Sequence, residues 1–267
     1  MCGTTVKKEI TTLSAAWNWA LNAELVQRPF PRRGLKYPKS NEKLIFHTMT
    51  EVERKIASGR FDEDAQTILW DSVFLSVAEI EALLQTVKER DPDGVAYPMM
   101  VFAAHNGSRR SEIRRCDIDY VDLEGEVVTI HGRKRVRGLL TTRRVPLSPL
   151  LCGVLKRWLA RHRGFGPLFY AEDKSHGNQA EGFTPKGIAY LFRTAVAKTR
   201  FQKLRGWHVF RHSFCSNCTA KGIDQRVLDS WVGHQTSEMA RRYRHLVPDV
   251  QRKAISLVFG AEDAVAR

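Results

Sequence analysis

The feature that most limits how this chain can fold is a single stretch with strand-like alternation in a sequence that otherwise repeats at helical spacing. Between Asp117 and Val145, the run Val127, Val128, Ile130 precedes a basic hairpin at Gly132 to Thr142, and Thr141 to Val145 follow it. That pattern predicts three short antiparallel strands. Around it, Val6, Ile10, Leu13, Trp17, Leu21 and Leu25 predict a helix over Val6–Leu25 that stops before Pro29-Phe30-Pro31. Ser76 with Glu79 three residues on forms a capping box ahead of the stripe Ile80, Leu83, Leu84 and Val87. Tyr97 to Ala104 reads as an apolar helix broken at Asn106-Gly107, with another helix opening near Ser111. Ser148-Pro149 and Thr184-Pro185 each set a capping hydroxyl before a proline at the first helical position. The expected fold class is α+β, mainly helical, with one small three-stranded antiparallel sheet.

Arg32 to Lys43 is rich in Pro, Gly and Lys and reads as a linker, followed by short helical pieces around Thr50–Ala57 and Asp62–Trp70. The expected division is a helical segment over 1–31, a linker with short helices over 32–72, a larger domain over 73–260 and a tail over 261–267. No internal repeat is evident.

Charge narrows the function. The 267 residues carry 43 Lys and Arg against 29 Asp and Glu, a formal charge of +14. It is segregated along the chain. Val127 to Ala171 holds no acid but contains Arg133, Lys134, Arg135, Arg137, Arg143, Arg144, Lys156, Arg157, Arg161 and Arg163; Gly182 to Ile223 is also acid-free. The acids gather in Glu51–Asp71 and Glu79–Asp93, a lobe turned away from a polyanion. Nucleic acid is the expected partner. No apolar run approaches the ~18 residues of a membrane span, and five irregularly spaced cysteines are expected to be reduced thiols. The reading expects a soluble cytoplasmic protein associated with the nucleoid.

Three constellations carry chemistry. His208 and Arg211 in Trp207-His208-Val209-Phe210-Arg211-His212 share a helix face, a spacing that surface polar residues also adopt. His208 and His212 lie four apart like zinc ligands, and Cys215 and Cys218 three apart, but neither pair has the further ligands of a metal site, so no metal is expected. Gly233-His234 is followed by Tyr243 within Arg241-Arg242-Tyr243-Arg244. Positive charge beside a phenol lowers its pKa and holds a phosphate against it, as a tyrosine nucleophile needs; an aromatic ring packed under arginine stems has the same sequence. Asn106-Gly107-Ser108-Arg109 presents an arginine at a glycine break, its planar fork matched to two phosphate oxygens.

Together these pieces resemble the catalytic domain of the tyrosine recombinases, also called the phage integrase family. The resemblance spans about Phe74 to Phe259: Phe74-Leu75-Ser76-x-x-Glu79-Ile80, Gly107-x-Arg109-x-Ser111-Glu112-Ile113, a basic hairpin ending Arg143-x-Val145-Pro146-Leu147, His208-x-x-Arg211-His212-Ser213-Phe214, Gly233-His234 and Tyr243-x-His245. It implies a site-specific DNA recombinase or integrase, of the kind mobile elements use. Tyr243 attacks a DNA phosphate to form a 3′-phosphotyrosyl link, and Arg109 and Arg211 bind the non-bridging oxygens. His208 and His234 assist by hydrogen bonding, with His208 taking the proton of Tyr243. The family's general acid is a lysine on the hairpin, and Lys134 is the only lysine between Lys88 and Lys156. Arg133, Arg135, Arg137, Arg143 and Arg144 are expected to contact DNA. The implied partners are double-stranded DNA and further copies of the chain in a tetramer, with no cofactor.

The helix Val6–Leu25 resembles the last helix of the family's core-binding domain. The helices that normally precede it are missing, which leads us to expect a truncated or minimal form. An amphipathic segment Val250–Phe259 is expected to dock on a neighbouring copy or fold back on its own domain. Two other functions remain open: relaxation of DNA by a type IB topoisomerase reaction, and a DNA-binding remnant with little recombination activity. With half the usual clamp missing, DNA grip should be weak, because phosphate contacts dominate affinity. A filter-binding titration at physiological salt tests this, and nanomolar site-specific binding is the result that overturns it.

Overall fold

The computed structural model describes residues 3–32, 34–35, 45–136, 139–171 and 182–233, with side chains for all of these except 3–5, 133–136 and 139–141. The chain divides into two units, Met1–Leu44 and Ile45–Arg267. In the first, helix α1 (Gly3–Asn22) ends three residues before the expected Leu25. The Leu25 amide turns back to the Ala20 carbonyl at 2.9 Å and the Glu24 amide to Leu21 at 3.1 Å. Glu24 itself is left-handed at φ 58. That pair of bonds is the usual way a helix is closed by a left-handed residue. Trp17 then packs edge-on to Phe30 and donates its indole N–H to the Arg28 carbonyl at 2.7 Å.

The second unit opens with strand β1 (His47–Thr48) and helices α2 (Met49–Ala57) and α3 (Glu63–Asp71). Thr48 and Glu51 close a capping box on α2, and the Asp62 carboxylate caps α3. Both helices, counted with the linker in the sequence reading, bury Met49, Val52 and Leu69 in the main core of this unit. β1 pairs in parallel with β2 (Val73–Phe74), His47 opposite Val73. Two-residue strands carry no periodicity, and the sequence reading did not anticipate them.

Helix α4 (Val77–Arg90) begins at the expected box, with Ser76 Oγ accepting from the Glu79 amide and the Glu79 carboxylate accepting from the Ser76 amide. Helix α5 (Ala96–Asn106) is the centre of the unit. Met99, Met100, Val101, Phe102 and Ala103 are fully buried on all its sides, the pattern of a helix surrounded by others. It packs against α4, α7 (Pro149–Leu159) and α9 (His208–Ala220). Gly107 ends it in the left-handed region at φ 63, and the short helix α6 (Arg110–Arg114) follows.

The expected sheet forms as β3 (Val121–Asp122), β4 (Val127–Val136) and β5 (Leu139–Pro146), antiparallel in that order. Val128 faces Val145 and Ile130 faces Arg143, with a register shift between His131 and Arg135. Val128, Ile130 and Val145 are buried on the core side. The expected caps Ser148 and Thr184 hold α7 and α8 (Pro185–Val196). Buried Trp207 donates to the Ile188 carbonyl at 2.7 Å and packs on Phe192 and Phe210, fixing the start of α9. Along α9, Ser213 Oγ accepts from the Leu75 amide and Asn217 donates to the Leu75 carbonyl. α10 (Gln225–Val232) completes the described elements and ends at left-handed Gly233. Among the described residues no helix is long and apolar enough to cross a membrane.

Gly107 is the joint where α5, α6, α9 and α10 come together. A Cβ there would lie 2.7 Å from Phe214 Cδ1 and 3.1 Å from Val232 Cγ1, at a φ that L-residues disfavour. Gly107→Ala should therefore lower stability by about 3 kcal/mol, from left-handed strain and overpacking together. Urea unfolding of the variant against wild type measures it, and an unchanged midpoint rules this account out.

Candidate active site

Arg109 and Arg211, a hundred residues apart in sequence and expected to share one phosphate, are brought together at the end of α10, where each donates to a backbone carbonyl. His208 opens α9 and Arg211 follows one turn later on the same face. Arg211 is 4% exposed. It donates Nη1–H to the Gly107 carbonyl at 2.8 Å and Nη2–H to the Val232 carbonyl at 2.7 Å. Burial and then the positive charge of Arg109 push its pKa down to about 10, so it stays charged at neutral pH. Arg109, 40% exposed, donates Nη1–H to Glu112 Oε1 at 2.9 Å and Nη2–H to the Gly233 carbonyl at 3.2 Å.

Glu112 is the residue that sequence reasoning passed over. Its carboxylate is 3% exposed. One oxygen accepts from the Arg109 backbone amide at 2.7 Å. Both oxygens also accept from Arg143, at 3.1 and 2.7 Å. Burial alone would raise its pKa, but the hydrogen bonds and charge of Arg143, followed by those of Arg109, hold it down at about 2. The available signal was its place three residues after Arg109, where a glutamate reaches back to the first amide of a helix.

Arg143 was expected on DNA, and here it faces inward. Its side chain is 9% exposed, and its Nε–H donates to the Trp231 carbonyl at 2.6 Å. Strand alternation explains this: Arg143 shares a face with buried Val145, while Arg144 points outward and is exposed. The side chains of Arg133, Lys134 and Arg135, the whole of Arg137, and His234 and Tyr243 lie outside the described residues, as does the segment Val250–Phe259.

His208 is pushed below the usual histidine pKa by burial first, then by Arg110, Arg211 and Arg109, so it is neutral at pH 7. His212 stacks on it at 6.3 Å between ring centroids and packs at a tilt against Phe46 at 4.5 Å. Among the described residues no cluster of His, Cys, Asp or Glu could hold a metal ion. Burial pushes the Cys218 thiol up to about 12, and Cys215 is fully buried in the same small apolar cluster, so both act as packing groups on α9. Two guanidiniums share one carboxylate and a third, Arg211, bonds backbone carbonyls, which leaves an excess of two positive charges that reaches solvent at Arg109, an arrangement suited to a phosphodiester.

Glu112→Gln should destabilise the protein by about 3 kcal/mol at pH 7, because it strands buried Arg143. The pH dependence follows from the lowered carboxyl. As pH falls, the unfolded chain takes up the proton first, so the contribution is complete above 4.5 and lost by about 2. Denaturant titrations of wild type and variant across that range should converge; parallel curves would mean that Glu112 is not held ionised in the fold.

The family model described as the phage integrase family matches residues 73–249. Among individual proteins, the integrase of Salmonella phage P22 is 26% identical over 166 residues, 60% of this chain and 42% of that protein. Tyrosine recombinase XerC of Bacillus licheniformis is 27% identical over 184 residues, 67% of this chain and 59% of that protein. The chain thus spans less than two thirds of these relatives. The solved structure of the Tn1549 transposon integrase in complex with circular intermediate DNA covers 96% of this chain and 79% of its own, with a TM-score of 0.62 at 16% identity, so the two share a fold. The motifs in family order, the fold and the match over most of the chain lead to one assignment: this chain belongs to the phage integrase family, the tyrosine recombinases.

Proposed function

We propose that this chain is a site-specific recombinase that cuts and rejoins double-stranded DNA by transesterification. The observation that carries the reading is the pair Arg109 and Arg211, held by backbone carbonyls at a site with excess positive charge beside a neutral histidine. The Tyr243 oxygen attacks the scissile phosphorus as its proton passes to His208. The bond to the 5′ oxygen breaks, and that oxygen leaves as a 5′-hydroxyl with a proton from Lys134. A 3′-phosphotyrosyl link remains, and the same steps reversed by a partner strand's 5′-hydroxyl rejoin the DNA. Because bond energy is kept in the link, no nucleotide is consumed. Arg109 and Arg211 offset the charge on the non-bridging oxygens, and His234 adds a hydrogen bond. Arg133, Arg135, Arg137 and Arg144 contact the flanking duplex, and four copies assemble on two duplexes. The setting is the cytoplasmic nucleoid.

The test incubates the protein with a pool of nicked duplexes carrying randomised flanks and resolves protein bound to DNA 3′ ends on denaturing gels. Wild type should form the adduct and Tyr243→Phe should not; an adduct in the variant, or none in either, overturns the reading. Two-duplex strand exchange then separates recombination from topoisomerase-like relaxation. Arg109→Ala should slow adduct formation by about 10²-fold or more. The wild-type rate should fall on acidification with a midpoint below 6.5, the ordinary histidine value, as His208 becomes protonated and can no longer accept, and His208→Asn should remove that limb. A midpoint above 6.5 would assign the limb to another group.

A further inference from the structure

Three arginines from three separate elements each take one of the last carbonyls of α10: Arg143 takes Trp231, Arg211 takes Val232 and Arg109 takes Gly233. The final carbonyls of any helix lack partners within it and favour positive charge. Arg109 and Arg211 already have a role at the phosphate. Arg143 has none, yet its three hydrogen bonds join α10 to Glu112.

We propose that Arg143 is a positioning residue for strand cleavage, fixing where α10 ends relative to Arg109, and so where the chain leaves Gly233 for His234 and Tyr243. Its link to catalysis rests on the recombinase reading; its link to α10 rests on the hydrogen bonds. The anchor is well placed. Arg143 stands opposite Ile130 in the sheet, so its backbone is set by strand register. Its fork grips both oxygens of a carboxylate that in turn holds Arg109. Its Nε–H reaches Trp231, a three-way tie that a lysine ammonium cannot reproduce with the same planar geometry. α10 itself is eight residues long and, of these, buries Leu228 and Val232, so packing alone gives it a slender hold. Gly233 turns back directly under Arg143, with a Cβ position 3.6 Å from Arg143 Cδ. Misplacing a reacting group by about 1 Å costs on the order of 10²-fold in rate.

The experiment compares wild type with Arg143→Lys, with Arg143→Gln as a second variant, using a duplex enriched from the nicked pool by wild-type adduct capture. Two readouts are taken. Amide exchange at Val232 and Gly233, measured without DNA, should accelerate by about tenfold or more. Adduct formation per folded molecule at saturating DNA should fall by about ten- to a hundredfold, with DNA affinity unchanged within about twofold. Unchanged exchange overturns the anchoring of α10. Faster exchange with an unchanged rate at saturating DNA, or a loss confined to affinity, overturns the positioning role. If neither variant folds, Arg143 is structural only and the proposal falls. A wild-type chain that captures no duplex defeats the recombinase reading and the catalytic half of the proposal with it, while exchange still decides the anchoring half.

Discussion

An ionised carboxylate taken almost wholly out of water costs several kcal/mol unless its lost hydration is replaced. At Glu112 the replacement is complete: a backbone amide, the fork of Arg143 and one arm of Arg109 fill the places water would take. The exchange orders the site. Arg109 is held in place, β5 is tied to α6, and the Nε–H of Arg143 is aimed at the end of α10. Without the carboxylate, three guanidiniums would repel one another at short range; with it, two of them share its charge while Arg211 relies on carbonyl dipoles.

The same arrangement accounts for the contrast between the site's bases and acids. Positive charge that suits a phosphate also disfavours protonating His208, which burial has already made reluctant. A neutral imidazole beside fixed cations is the protonation state a proton acceptor requires. Burial and Arg109 push Arg211 down as well, to about 10, but it starts so high that it keeps its charge at neutral pH.

Much of this was legible in the sequence, for physical reasons that can be named. Caps at Ser76, Ser148 and Thr184 are local chemistry, and those helices start where the side chains say. Strand alternation marked the sheet, and motif order marked Arg109, His208 and Arg211. What escaped was tertiary. The inward turn of Arg143 follows from period-two alternation with Val145, but that alternation was outweighed by the basic run around it. The importance of Glu112 depends on a partner 31 residues away, and the β1–β2 pair joins segments too short to show a period. Only packing reveals that the end of α10 is built from arginines of three other elements.

The bonds that shape the site span 88, 104 and 124 residues of sequence, from Arg143 to Trp231, Gly107 to Arg211 and Arg109 to Gly233. Closing loops of that length is entropically late work, achieved only once the intervening helices have found their places. A chain emerging from the ribosome with α6 and β5 formed and α9 still unmade carries Arg109 and Arg143 on Glu112 but not yet Arg211. The order of synthesis thus completes the pair late: partly folded molecules carry basic charge, but Arg109 and Arg211 meet at the end of α10 only once α9 and α10 are in place.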